Sequence, residues 1–226
     1  MLNLVTWRDY LLSRLLIKSL SNQANPQFLD YLKERHIPLE LATKYQLGFL
    51  PELKYNDTLL LGSVTTPIFH TNSTDPIMIE ARSIYNKKYT KITDRLEKPL
   101  YALFNIKDAL NYKEIIIVEG VFDALSLLQY IPNVVATLSA SLSFMTMNLL
   151  SYFDKIYLLF DNDATGIDKT LKFSDFFAKY YPQVEVETLT DLLTHKDANE
   201  QLTSNGHLKS IISYIDNFNK DYKNGL

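Results

Sequence analysis

Glu119, Asp161 and Asp163 stand at the ends of two apolar runs, and each run opens into a helical pattern. In KEIIIVEGVFDAL, residues 113–125, Ile115, Ile116, Ile117 and Val118 lead straight into Glu119 and Gly120. In KIYLLFDNDATG, residues 155–166, Ile156 to Phe160 lead into Asp161, Asn162 and Asp163, with Gly166 closing the turn. Asp161 and Asp163 are two apart, so on an extended strand end they point the same way and can share one site. Magnesium prefers hard oxygen ligands and is usually held by one or two carboxylates plus substrate phosphates. Glu119, on a neighbouring strand, could bind a second ion or move protons. Two ions about 4 Å apart can clamp the attacking and leaving oxygens of an in-line displacement. Either motif alone reads as an ordinary turn or helix cap. Together, at the ends of two apolar strands, they read as a site for metal-assisted phosphoryl transfer.

Such a site needs a sheet edge to carry it. Continuous apolar runs suit strands buried on both faces, as in a parallel sheet under helices, and open α/β sheets bind ligands beyond the carboxyl ends of their strands. From residue 113 the pattern alternates: strands over 114–118, 133–138, 155–160 and 184–189, joined by helical stretches at 121–130, 143–152 and 166–181. Connections of that length predict parallel neighbours. Residues 207–220 read as a final amphipathic helix.

Upstream, Leu4, Trp7, Leu11, Leu15 and Lys18 share one helical face over 4–20, with Leu12, Leu16 and Leu20 beside them. This helix packs on its own domain or binds a partner. Ser21 to Pro26 is a polar linker, with Pro26 suited to a helix first turn. Phe28, Leu29 and Leu32 form one short helical face; Leu41, Ala42 and Tyr45 form another, and Gly48 supplies a stop. Leu59–Leu61, Thr66–His70 and Ile77–Tyr85 are short β-type runs. The stretch NKKYTKITDRLEKPLY follows, in which Lys87, Lys88, Lys91, Arg95 and Lys98 interleave with Tyr89 and Tyr101. A run of this kind is a solvated face or a nucleic-acid surface. The expected domains are an N-terminal helix (1–25), a basic lobe (26–110), the α/β domain (111–204) and a C-terminal helix (205–226).

The 226 residues are 46% hydrophobic and 22% charged, ordinary for a globular chain. No apolar run is long enough to span a membrane, and the apolar start lacks the features of a signal peptide, so the expected location is the cytoplasm. Cysteine is absent, which excludes disulfides and thiolate-bound zinc. A net charge of −3 gives no global attraction to nucleic acid, so any such contact must be local.

At these acids the sequence resembles the TOPRIM domain shared by bacterial primases, type IA and II topoisomerases and OLD nucleases. Glu119 with Gly120 matches its first motif; Asp161, Asp163 and Gly166 match its second. Asp123 fits the primase form of the first motif, as a residue that orients its neighbours or caps a helix. HKDANEQL, residues 195–202, is similar to the stretch after the last primase strand, which places Asp197 as a further metal ligand and Lys196 beside it on the nucleotide surface. FLDYLKERHIPLELATKYQLGF and IEARSIYNKKYTK, continuing to EKPLYALFNIKDAL, are similar to the rest of the DnaG-type primase core. There Arg82, Lys88 with Tyr89, and Lys98 occupy its template and nucleotide surface.

The resemblance covers about residues 28–203. It implies a TOPRIM fold, a Rossmann-like, four-stranded, mainly parallel sheet with flanking helices, preceded by a smaller mixed α+β basic lobe. It also implies synthesis of short RNA primers on single-stranded DNA from nucleoside triphosphates, with Mg2+ or Mn2+ and no zinc. The core is expected without the family's zinc-binding and helicase-binding domains, and a helicase or other replication protein of a phage or mobile element would supply them. Three positions depart from the family pattern: Asn199 replaces an acid, His36 a glycine and Ser139 a glycine. A TOPRIM nuclease, or a non-catalytic replication accessory protein, would share the acidic edge.

Overall fold

The computed structural model describes residues 7–71, 73–86, 88–93, 102–138 and 143–215. The chain divides into two units, Met1–Lys107 and Asp108–Leu226.

The first unit opens with helix α1 (Trp7–Leu20), which packs against strands β1 (Gly48–Tyr55), β2 (Thr58–Phe69) and β3 (Pro76–Ser83). Its buried stripe is Leu12, Leu16 and Ser19, set against Leu50, Leu53, Leu60, Ile79 and Ile92. Each such apolar side chain removed from water contributes about 1.5–3 kcal/mol. The stripe is rotated from the expected one: Leu12 and Leu16 form its centre, whereas Leu11 is 47% exposed. Leu4 and the Trp7 side chain lie outside the described residues.

Helix α2 (Pro26–Glu34) begins with Asn25, whose side chain accepts from the Gln27 N–H, and with Pro26 in the first turn. It buries Phe28, Tyr31 and Leu32, whereas Leu29 is exposed. The chain leaves α2 through His36, whose φ of +54° lets the Ile37 N–H reach the Leu32 carbonyl at 2.9 Å. Helix α3 (Leu39–Lys44) ends the same way, at Gln46 with φ of +55°. The stop is thus Gln46; Gly48 is already the first residue of β1.

Strands β1, β2, β3 and β4 (Tyr89–Thr93) form an antiparallel meander in that order. What reads as two short runs over 59–70 is the single strand β2, which continues through Gly62 at φ of +51°. Strand β1 is an edge strand, and Pro51 has no N–H to give to a ladder. The described part of the basic run, 88–93, forms the β3–β4 turn and the opposite edge strand. A short helix, α4 (Ile106–Ala109), follows.

In the second unit β5 (Glu114–Val118), β6 (Val134–Ala136), β7 (Lys155–Leu158) and β8 (Glu185–Thr188) form a parallel sheet in the order β6-β5-β7-β8. Helices α5 (Val121–Leu127), α6 (Phe144–Leu150), α7 (Ala164–Tyr180) and α8 (Ala198–Asn205) complete the expected α/β alternation. Strand β5 is fully buried from Ile115 to Val118. Residues 209–215 are helical, with Leu208, Ile211 and Ile215 buried; the rest of the expected last helix lies outside the described residues. Strand β7 ends at Leu158, short of the apolar run, and Leu159 and Phe160 carry the chain on to Asp161. The chain reverses direction across the sheet between β5 and β7, so Glu119 and Asp161 flank the switch point where such sheets bind ligands. Among the described residues no helix is long and apolar enough to cross a membrane.

Candidate metal and phosphoryl-transfer site

Glu119 follows β5 directly, and its Oε1 accepts from the Asp161 main-chain N–H at 3.3 Å. This bond ties the first acidic motif to the second. Gly120 then caps α5; a β-carbon there would stand 2.7 Å from Asp123 Oδ2. Phe160, buried just before Asp161, packs on Phe173 of α7 with ring centres 6.1 Å apart, and Phe173 stacks on Phe177 at 4.8 Å. These rings anchor the loop from below.

Asp163 caps α7, accepting from the N–H groups of Thr165 and Gly166 at 3.0 Å each. Lys196 Nζ lies 3.3 Å from Asp161 and 3.0 Å from Asp163, so the two aspartates do share one cation, the lysine's own ammonium. The Gly166 N–H bond and Lys196 hold the Asp163 carboxyl below the usual range. Asp161 behaves in the opposite way: burial and the Glu119 carboxylate push it from 3.8 to about 6, despite Lys196.

Asp197 caps α8, accepting from the Glu200 N–H at 2.7 Å. Asp123 is buried inside α5, where it accepts from the Asn199 N–H at 3.1 Å and shares a side-chain hydrogen bond with Asp197. Burial and the neighbouring Asp197 raise its carboxyl well above the ordinary range. Both readings of Asp123 therefore meet in one contact: it caps a helix, and in doing so it positions Asp197. Asn199 does not face the cluster as a weakened ligand. It is buried, and its Nδ2 donates to Ser126 Oγ at 2.9 Å.

Two residues that the sequence motifs did not single out complete the edge. Lys169 of α7 reaches Glu119 Oε2 at 2.5 Å. Asn162 joins the second motif to the last: its N–H donates to the Lys196 carbonyl at 2.6 Å and its Nδ2 to the Leu193 carbonyl at 3.3 Å. Lys169 had a visible signal, since it falls on the buried face of α7 with Gly166, Thr170, Phe173 and Phe177.

The edge fits a hard divalent cation by its donor chemistry. Glu119, Asp123 and Asp197 each lie within electrostatic reach of Asp161, and burial together with this crowding raises Asp123 and Asp161. Among the described residues no three His, Asp or Glu side chains converge as a ready-made cage. Magnesium does not require one, being held by one or two carboxylates with phosphate oxygens and water. Asp161 and Asp163 could provide that pair once Lys196 moves aside.

In the first unit, Arg82 and Tyr89 are direct partners across β3 and β4, as are Glu80 and Lys91. Lys91 Nζ lies 5.6 Å from the centre of the Tyr89 ring, which is exposed. Lys88 sits exposed in the turn between the strands. Burial raises the Glu80 carboxyl, against the pull of Lys91 and Arg82. Lys98, with Lys87, Arg95, Leu100 and Tyr101, lies outside the described residues, as does Ser139.

Residues 116–202 match the family described as Toprim-like. The DNA primase of Aquifex aeolicus (strain VF5) is 32% identical over 183 residues, which cover 63% of this chain and 36% of the relative. That of Legionella pneumophila is 27% identical over 175 residues, 61% of this chain and 30% of the relative. The chain thus spans about a third of the length of these curated relatives. Among solved structures, the zinc-binding and RNA polymerase domains of the Aquifex aeolicus primase align with a TM-score of 0.70 at 26% identity, over 86% of this chain and 57% of that one. The DnaG primase catalytic domain bound to ssDNA aligns with a TM-score of 0.70 at 17% identity, over 86% and 76%. The acidic edge lies within the Toprim-like residues, and the chain is similar in sequence and architecture to the catalytic core of DnaG-type primases.

Proposed function

We propose that this core synthesises short RNA primers on single-stranded DNA. The observation that carries the reading is the shared cation position at Asp161 and Asp163, on the carboxyl edge of the parallel sheet, within a chain similar to DNA primases. In the reaction the 3′-hydroxyl of one nucleotide attacks the α-phosphate of the next, and pyrophosphate leaves. A magnesium or manganese ion at this edge supplies charge neutralisation of the triphosphate and polarisation of the attacked phosphoryl group.

The protein's own part is alignment and electrostatics rather than covalent catalysis. Asp161 and Asp163 hold the ion, with Asp197 as a further ligand. Glu119 fixes the Asp161 loop through its N–H bond and would accept the proton of the attacking hydroxyl. Lys196, released from the aspartates, turns its ammonium to the triphosphate. Asp123, Gly120 and Gly166 keep these groups in place. Arg82, Lys88, Tyr89 and Lys98 bind template or nucleotide through charge and base stacking. A helicase or other replication protein is the expected partner.

Incubating the protein with single-stranded DNA, labelled nucleoside triphosphates and Mg2+ or Mn2+ tests this. Labelled oligoribonucleotides that vanish in Asp161→Ala support priming. Shortened DNA would instead mean that the same edge activates water as a nuclease. DNA or partner binding with neither product would make the chain a replication accessory protein.

A further inference from the structure

The two lysines of the acidic edge are held differently. Lys196 is half-exposed, its side chain retaining 52% of its accessible surface, and it spans Asp161 and Asp163 from outside. An exposed pair of this kind is weak and exchanges readily. The Lys169 side chain retains only 8%. Its ammonium lies between the Glu119 carboxylate, at 2.5 Å, and the face of the buried Phe160 ring, 5.1 Å from its centre. An arriving ion can displace Lys196 into water. Displacing Lys169 would leave an ammonium buried without its carboxylate, which is strongly unfavourable.

We propose that Lys169 is a resident counter-cation for Glu119, so that the divalent ion is taken by Asp161 and Asp163 without Glu119 as a ligand. This rests on the metal site described under the proposed function and narrows it. The charge that a second ion would bring to Glu119 is already supplied by the chain itself. Lys169 is thus a positioning residue: it holds the Glu119 carboxylate turned toward the Asp161 N–H.

Counting bound Mn2+ by electron paramagnetic resonance on the full chain, without nucleotide, tests the assignment. The wild type is expected to bind about one Mn2+ per chain, lost in Asp161→Asn. Lys169→Met is expected to take up a second ion, lost again when Glu119→Gln is added, while Lys169→Arg stays at the wild-type count. Two ions in the wild type, or an unchanged count in a Lys169→Met protein with native circular dichroism, would overturn it. Should Lys169→Met not fold, Glu119→Gln in the wild-type background decides. Mn2+ affinity within about twofold of wild type supports the proposal, and a loss of about tenfold or more overturns it. No Mn2+ bound by any of these proteins would overturn the metal site itself. One ion at Asp161 with no gain on removing Lys169 would overturn only the lysine's role.

Discussion

Asp123 accepts a hydrogen bond from the main-chain N–H of Asn199 across 76 positions of sequence, joining α5 to the first turn of α8. The Asn199 side chain adds a second link between the same helices through Ser126. The first and last acidic motifs are therefore bound to each other independently of any ion. An acid in place of Asn199 should weaken the chain. Asn199→Asp sets a carboxylate beside the buried Asp123 and loses the donor to Ser126. A loss of about 2 kcal/mol or more is expected, smaller at pH 5 than at pH 8 because acid neutralises the new group. Denaturant unfolding at the two pH values measures it; stability equal to wild type at pH 8 would mean that the two carboxyl groups do not repel.

Gly166 is fixed by contact rather than by backbone angle. A β-carbon at this position would lie 1.9 Å from the Asp161 carbonyl oxygen and 2.8 Å from its carbon. Main chain cannot yield as a side chain can, so Gly166→Ala must push the Asp161 loop outward. The expected result is a loss of about 3 kcal/mol or more, with Mn2+ binding lost as well. At Gly120 the obstructing atom is a side-chain oxygen, Asp123 Oδ2 at 2.7 Å, which can turn away. Gly120→Ala should therefore cost less, and thermal unfolding of the two variants gives the order.

These contacts show which parts of the site a sequence exposes. Glu119, Asp161 and Asp163 are legible because a carboxylate ending a buried apolar strand is unfavourable unless a cation or a donor meets it. Lys169 is less so, since lysines on helices usually face water, and its position on the buried face of α7 is its one signal. Asn162 and Asn199 act through partners 31 and 73 positions away, beyond any local pattern. The parallel sheet follows from uninterrupted strands such as Ile115–Val118. The meander is harder to read: Pro51 interrupts β1, and β4 is written in the basic residues that also mark a solvated face.

His36 holds φ at +54° to close α2, a conformation that disfavours a β-carbon by about 1–2 kcal/mol. A glycine there escapes this, less about 0.5–1 kcal/mol for its extra freedom when unfolded. His36→Gly should therefore stabilise the chain by about 0.5–1 kcal/mol without altering Mn2+ binding. A lower melting temperature would show that the imidazole contributes more than its backbone strain removes.

Asp161 should set the pH dependence of cation binding. Its carboxyl is raised from 3.8 to about 6 by burial and by Glu119. A raised acid favours the folded state in its neutral form, so that contribution is complete below about pH 4 and disappears as pH rises through about 6. A divalent cation needs the ionised form and reverses the trend. Its affinity should fall about tenfold per pH unit below pH 6 and level off above pH 7. Binding at pH 6 should expel about half a proton per ion, and at pH 8 almost none. Calorimetric titration with Mn2+ in two buffers of different ionisation enthalpy gives the proton count directly. A count near zero at pH 6 would mean that Lys196 offsets burial and keeps Asp161 ionised. In Asp161→Asn, the metal-free protein should also lose this group's share of the stability decline between pH 4 and pH 7.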